Sequence, residues 1–193
     1  MLGDVRGKKW SAWMFAHAYM AYVRSAILSL ASSREHTGTP AAILKHLNTM
    51  LCNDGSTAEV LCTLSIIRLC STSSTVHYAT VAHVPALFFE RSTTNIRTID
   101  EGGEPIGYSR ETEYRDCTID MAQDDLLLLT TDGITDASNS DGSGYGERDL
   151  LHTLRVHQDK QQLLETIYRE ALQLSSSTLL EDDATLIKIQ RTV

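Results

Sequence analysis

The sequence of 193 residues contains no CxxC pair, no low-complexity tract, no internal repeat and no excess of positive charge. Each absence excludes something. Its four cysteines, Cys52, Cys62, Cys70 and Cys117, lack the spacing of a zinc ribbon or of a thioredoxin-like redox pair. No secretory signal precedes them, and three lie in apolar or strand-like surroundings. They read as reduced core thiols of a cytoplasmic protein. The chain is read as offering no Cys-x5-Arg loop, which removes a thiol nucleophile from consideration. A formal net charge of -8 argues against nucleic acid as the main partner, because phosphate backbones are bound by clustered Lys and Arg. An acidic chain can still handle phosphate if metal ions carry the positive charge. Trp10–Ala31 is apolar enough to test as a membrane span, but His17, Arg24 and several serines interrupt it. A buried or half-buried helix is expected there.

The apolar content of 42% suffices for one good core, and a single domain is expected over 1–193. Met1–Val5 reads as the end of a strand, stopped by "RGKK". Ser11 to Ala31 reads as a long helix. Thr39-Pro40 opens a second helix, with a hydroxyl at the N-cap and proline at the first helical position. Its apolar residues Ile43, Leu44, Leu47, Met50 and Leu51 share one face, and Asn53–Thr57 ends it in a turn. The middle is strand-rich. Val60–Cys70 and Val76–Ala82 flank "STSST" as a hairpin, and Ala86–Glu90 and Ile96–Ile99 form another pair. Glu113–Asp120 and Leu126–Thr131 are expected as a third pair, turned by "AQDD". Helices over Glu147–His157 and Lys160–Leu174 follow, and Ala184–Gln190 closes the chain as a strand. Segregated helices and hairpin-linked strands predict an α+β layered fold with antiparallel sheets.

Three acidic positions share one local context. Asp4 follows "MLG" at the end of the first strand, Asp132 follows "LLLLTT", and Asp182-Asp183 precede the last strand in "LLEDDATLIKI". Asp-Gly at 132–133 is by itself turn chemistry. A sheet end also presents a carboxylate at a fixed angle, and several carboxylates at one edge repel unless neutralised. Hard divalent cations with oxygen ligands, Mg²⁺ or Mn²⁺, do this.

Six segments occur in order: "GDVRGKKWSAWMFA" (3–16), "VAHVPALFF" (81–89), "GEPIGY" (103–108), "DDLLLLTTDGITDA" (124–137), "GYGERDLLHTL" (144–154) and "EDDATLIKI" (181–189). Together they resemble the PPM-type, metal-dependent serine/threonine protein phosphatases of the SpoIIE/RsbU-like bacterial branch. The resemblance implies an α-β-β-α sandwich of two antiparallel sheets flanked by helices, with two Mn²⁺ or Mg²⁺ ions at one end. It implies Asp4 as the bridging acid, the Val5 carbonyl as a further ligand, and Asp132 and Asp182 as ligands of the first metal. Asp183 occupies the neighbouring acid or amide position, and Thr185 completes the motif. The implied reaction is attack of a metal-bridging hydroxide on a phosphoserine or phosphothreonine, with no phosphoenzyme. The implied substrate is a phosphorylated regulator such as an anti-sigma-factor antagonist, and a sensor domain or partner is possible. The alternative is a catalytically impaired or truncated relative that acts as a partner-binding module, and a third reading is a non-phosphatase metal-binding module.

The chain departs from the family pattern at three places. The family carries another strand pair before "GDV", with a GGD-x-x-D motif whose acid helps hold the second metal. Here the chain begins two residues before "GDV", so those strands and that acid are expected to be absent and a sheet edge unpaired. Lys9 and Ala82 stand where the family commonly has glycine, and the alanine is expected to cost little. Asp136–Glu147 superficially matches a calcium loop. Its sixth position is Asp141 where glycine belongs, so a polar flap beside the site is expected instead. His83 reads as a structural histidine, and His17 and His46 as packing or surface residues. Arg6 and Lys8 read equally as phosphate contacts or solvated cations. Trp10, Trp13, Phe15 and Tyr19 read as helix-to-sheet packing.

Overall fold

The computed structural model describes residues 1–5, 10–32, 38–54, 62–100, 102–138, 144–158, 161–175 and 179–192. The fold is α+β, with two four-stranded antiparallel sheets and helices, and it divides into two compact units.

The first unit comprises Met1–His83 and Asp100–Met121. Its sheet has the order β1 (Leu2–Val5), β2 (Cys62–Cys70), β3 (Thr75–Val81), β6 (Cys117–Asp120), so β1 and β6 are outer strands. Helices α1 (Trp10–Ser32) and α2 (Pro40–Asn53) supply the rest of its core. The proposed N-cap is present: Thr39 Oγ1 accepts from the Ala42 N–H at 3.3 Å, and Pro40 opens α2. Asp116 Oδ1 accepts from the Ala41 N–H at 2.8 Å, satisfying a second unpaired donor of that helix end. Leu44, Leu47 and Leu51 of α2 pack with Tyr19, Val23 and Ala26 of α1, and with Leu64, Ile66, Ala79 and Val81 of the sheet. Each fully buried aliphatic side chain contributes about 1.5–3 kcal/mol. On the opposite face of the strands, buried Ser65 bonds to Tyr78 at 3.2 Å and to Thr80 at 2.9 Å. Arg24 and His17 of α1 are exposed while Phe15 and Tyr19 pack inward. No helix among the described residues is long and apolar enough to cross a membrane. Arg6, Lys8, Lys9, Val60 and the side chains of Trp10 and Trp13 lie outside the described residues.

The second unit comprises Val84–Ile99 and Ala122–Val193. Its sheet has the order β5 (Asn95–Ile99), β4 (Ala86–Glu90), β7 (Leu126–Thr130), β8 (Leu186–Gln190). A short helix α3 (Asp132–Thr135) and helices α4 (Glu147–His157) and α5 (Leu163–Leu174) complete it. Leu126 and Leu128 of β7 join Leu87, Phe89, Ile134, Leu150, Leu154, Leu163 and Ile167 in one core. All five residues of β7 are buried, the pattern of a central strand covered on both faces.

The expected pairing of Glu113–Asp120 with Leu126–Thr131 is incorrect. β6 pairs with β3 in the first sheet, and β7 pairs with β4 and β8 in the second. The residues between them form a crossover. Buried Asp125 holds it to the second unit, accepting from the Ala122 N–H at 2.7 Å and the Arg91 N–H at 2.8 Å. The strands also differ in kind: β6 buries one residue in four, as an outer strand does, whereas β7 buries every residue.

Candidate functional site

The acids expected at the site fall on three segments. Asp4 lies within β1, half-buried, opposite Thr63 of β2, and its carbonyl accepts from Thr63 Oγ1 at 3.4 Å. Gly3 is closely packed: a Cβ there would stand 2.8 Å from Leu64 Cδ1, the movable end of a side chain, and 3.0 Å from the Thr63 carbonyl oxygen. The Cys62 thiol is pushed from 9.0 up to about 12, by burial first and then by the Asp4 carboxylate. Cys62 and Arg68 do stand at Cys-x5-Arg spacing, but along the extended strand β2, where no loop can gather N–H groups around the sulfur. A buried thiol held that high is no nucleophile at neutral pH.

Asp132, Asp182 and Asp183 belong to the second unit. Asp132 is not the last residue of the strand. β7 ends at Thr130, Thr131 is the N-cap, and Asp132 is the first residue of α3, half-buried. A carboxylate in the first turn lies at the positive end of the helix. Gly133 does not serve as a left-handed turn residue, since its φ lies outside the positive range. Its role is close approach. A Cβ on Gly133 would stand 2.4 Å from the Asp183 carbonyl oxygen and 3.2 Å from that of Asp182.

Thr131, which sequence reasoning did not single out, joins the two segments. Its hydroxyl donates to the Asp183 carbonyl at 3.0 Å and accepts from the Thr185 N–H at 2.9 Å. Its own N–H donates to the Thr185 carbonyl at 3.1 Å. The signal was there in "TTDG" followed by "DDAT", two polar runs at strand ends, but nothing local pairs them. Asp132 and Asp182-Asp183 are thereby held on touching backbones. The carboxylates of Asp182 and Asp183 are exposed, and Asp182 Oδ1 accepts from the Asp183 N–H at 2.9 Å. Among the described residues, no three Asp, Glu, His or Cys side chains converge on one metal position as they stand. The donor set is nonetheless suited to a hard divalent cation: carboxylates only, accessible, and placed by a glycine cradle that any side chain would fill.

Two further motifs have structural explanations. Buried Asn48 of α2 grips "GEPIGY": its Nδ2 donates to the Ser109 carbonyl at 2.7 Å and its Oδ1 accepts from the Gly107 N–H at 2.8 Å. In "VAHVP", His83 is buried, and Ala82 has φ 48°, in the left-handed region. The expectation that alanine costs little here is incorrect, because a Cβ in that region costs about 1–2 kcal/mol. The interior of the calcium-loop candidate, 139–143, lies outside the described residues. Its ends close on each other through a Ser138–Gly144 bridge, and Glu147 begins α4.

Residues 1–192 match the family model "Stage II sporulation protein E (SpoIIE)". The chain is 25% identical over 177 residues to the phosphoserine phosphatase RsbU of Bacillus subtilis, covering 90% of this chain and 51% of that protein. It therefore spans about half the length of this curated relative. Among solved structures, the SiaA-PP2C domain of Pseudomonas aeruginosa superposes with a TM-score of 0.80 at 18% identity, covering 97% of this chain and 73% of that one. The manganese-presoaked phosphatase domain of SpoIIE from Bacillus subtilis gives a TM-score of 0.58 at 13% identity, covering 90% of this chain and 73% of that one. The fold is thus that of PPM phosphatase domains, and with all but its last residue matched the chain belongs to the SpoIIE family.

Proposed function

We propose that residues 1–193 form a single PPM-type phosphatase domain that hydrolyses phosphoserine or phosphothreonine on a regulatory protein, with Mn²⁺ or Mg²⁺ as cofactor. The observation that carries this reading is the Thr131–Gly133 clamp on Asp183, in a chain of this family. It holds Asp132 and Asp182-Asp183 side by side on rigid backbone. Such a carboxylate set has no evident use in the core, and it suits cations that must face a phosphate.

Asp132, Asp182 and Asp183, with Asp4 and the Val5 carbonyl, are the proposed metal-holding groups. A divalent metal supplies, when bound, a water acidic enough to attack phosphorus at neutral pH and neutralisation of the phosphoryl oxygens. The chain's own contribution is placement. The first position of α3 carries Asp132, and the Thr131 hydroxyl fixes the segment bearing Asp182 and Asp183. The exposed surface at Asp182 leaves room for a protein-borne phosphate. RsbU is a phosphoserine phosphatase, which supports the substrate class. An anti-sigma-factor antagonist in the cytoplasm is the proposed partner.

The test is hydrolysis of an aryl phosphate by the chain with and without Mn²⁺, beside the Asp132→Asn variant. Turnover that requires Mn²⁺ and disappears in the variant supports the proposal. A folded chain inert at millimolar Mn²⁺ overturns the view that this chain alone is an enzyme.

A further inference from the structure

We infer that a second recognition site, for a basic side chain of the substrate protein, lies one helical turn from Asp132. The second unit contains a cavity of about 310 Å³ lined by Val84, Pro85, Leu87, Leu150, Thr135, Asp136 and Glu147. Leu87 and Leu150 are buried and form its apolar floor, while Asp136 and Glu147 are exposed at its rim. Neither carboxylate has a hydrogen bond or ion pair from its side chain among the described residues.

The position is fixed relative to the proposed catalytic acid. The Asp136 N–H donates to the Asp132 carbonyl at 2.7 Å, closing α3, so the two residues are about 6 Å apart along the helix axis. A protein segment presenting its phosphate at Asp132 passes this cavity within about one to three residues, at up to 3.6 Å per residue.

The lining selects the occupant. An apolar floor under two unneutralised carboxylates matches a long aliphatic stem with a cationic head. That is the chemistry of arginine or lysine and of no acidic or short polar side chain. A purely apolar residue would bury the floor but leave both rim charges uncompensated. The planar guanidinium can meet two carboxylates at once, so arginine is the better fit. This inference rests on the phosphatase reading, and it adds to it a preference for phosphorylated segments carrying a nearby basic residue.

The experiment uses the full chain and phosphoserine peptides that differ only by arginine, norleucine or glutamate at each position from three before to three after the phosphoserine. Arginine is expected to raise kcat/KM over norleucine by about five- to tenfold at one or two positions, the worth of one or two accessible ion pairs. Glutamate there lowers it, and salt erodes the preference. The Asp136→Asn/Glu147→Gln double variant brings the arginine-to-norleucine ratio to near unity. A flat scan, or a preference that survives the double variant, overturns the inference. If no peptide is hydrolysed with Mn²⁺, the phosphatase reading fails, and binding of the same peptides by fluorescence anisotropy then decides. Arginine-dependent binding lost in the double variant supports the cavity, and equal binding of all peptides overturns it.

Discussion

Gly133 lies directly against the Asp183 carbonyl, so close that a Cβ on the glycine would stand 2.4 Å from that oxygen. The contact joins the helix that begins with Asp132 to the segment that carries Asp182 and Asp183. Closeness of backbone and the Thr131 hydroxyl together set the relation between these acids.

Gly133→Ala separates two opposing effects. In an ordinary helix the change would stabilise by about 0.8–1 kcal/mol. Here the obstacle is backbone that cannot rotate away, and overpacking costs about 1–3 kcal/mol. The expected outcome is net destabilisation in urea together with loss of metal-dependent turnover. A more stable and fully active variant would refute the close-approach role.

Thr131→Val keeps the shape and removes the hydroxyl that serves both the Asp183 carbonyl and the Thr185 N–H. Two part-buried backbone partners lose a bond, at a cost of about 0.5–1.5 kcal/mol. Displacing positioned acids also weakens metal binding by about 10–100-fold, as loss of an orienting partner does. A Mn²⁺ titration of turnover checks this: the apparent metal affinity falls while saturating turnover is partly recovered by Thr131→Ser.

Ala82→Gly relieves the left-handed backbone at φ 48°. The strain removed is about 1–2 kcal/mol, and the added freedom of glycine in the unfolded chain returns about 0.5–1 of it. The expected result is a gain of roughly 0.5–1 kcal/mol, seen as a higher urea midpoint with unchanged slope. Ala82→Val should move the midpoint the other way.

Alkaline stability follows from two tyrosines. Tyr145 is raised from 10.0 to about 12 by burial, then by the Glu170 and Asp149 charges, with the Thr153 hydroxyl opposing. Tyr114 is raised to about 12, also chiefly by burial. Both groups are neutral folded and ionise more easily unfolded. Their contribution is complete below pH 10 and is lost as pH rises from 10 toward 12, because the unfolded state there binds fewer protons. Urea unfolding at pH 8, 10 and 11 should show stability falling from pH 8 to 10 as the Cys62 thiol ionises in the unfolded chain, and falling further across the last interval, where Tyr145→Phe makes the fall shallower. A rise in that interval would contradict the assignment.

The sequence made much of the second unit legible, and two of the failures across the chain share a cause. Helix α4 was expected and found over Glu147–His157, and β4 over Ala86–Glu90, because their apolar periods and bounding turn residues are local. The β6–β7 hairpin was wrong because pairing depends on which sheet buries each strand. "AQDD" looks the same as a hairpin turn and as a crossover anchored by Asp125. Ala82 was misjudged because a residue's φ is set by the path its neighbours impose. Asp132 and Asp182-Asp183 stood out in the sequence as candidates through their places at strand ends and the order of six motifs, whereas Thr131 and Asn48 carried no such mark.

The α+β class, the Thr39-Pro40 helix start, the apolar face of α2 and the family can all be read along the chain, since each rests on neighbouring residues or on motifs in order. The partner of β6, the strain at Ala82 and the reason position 133 is glycine emerge only once the chain is folded. Thr131 and Asp183 are 52 positions apart, and a contact over that separation leaves no local pattern. Which backbone a side chain must avoid, or which carbonyl a hydroxyl must reach, is settled only when the sheet has brought distant segments within bonding distance.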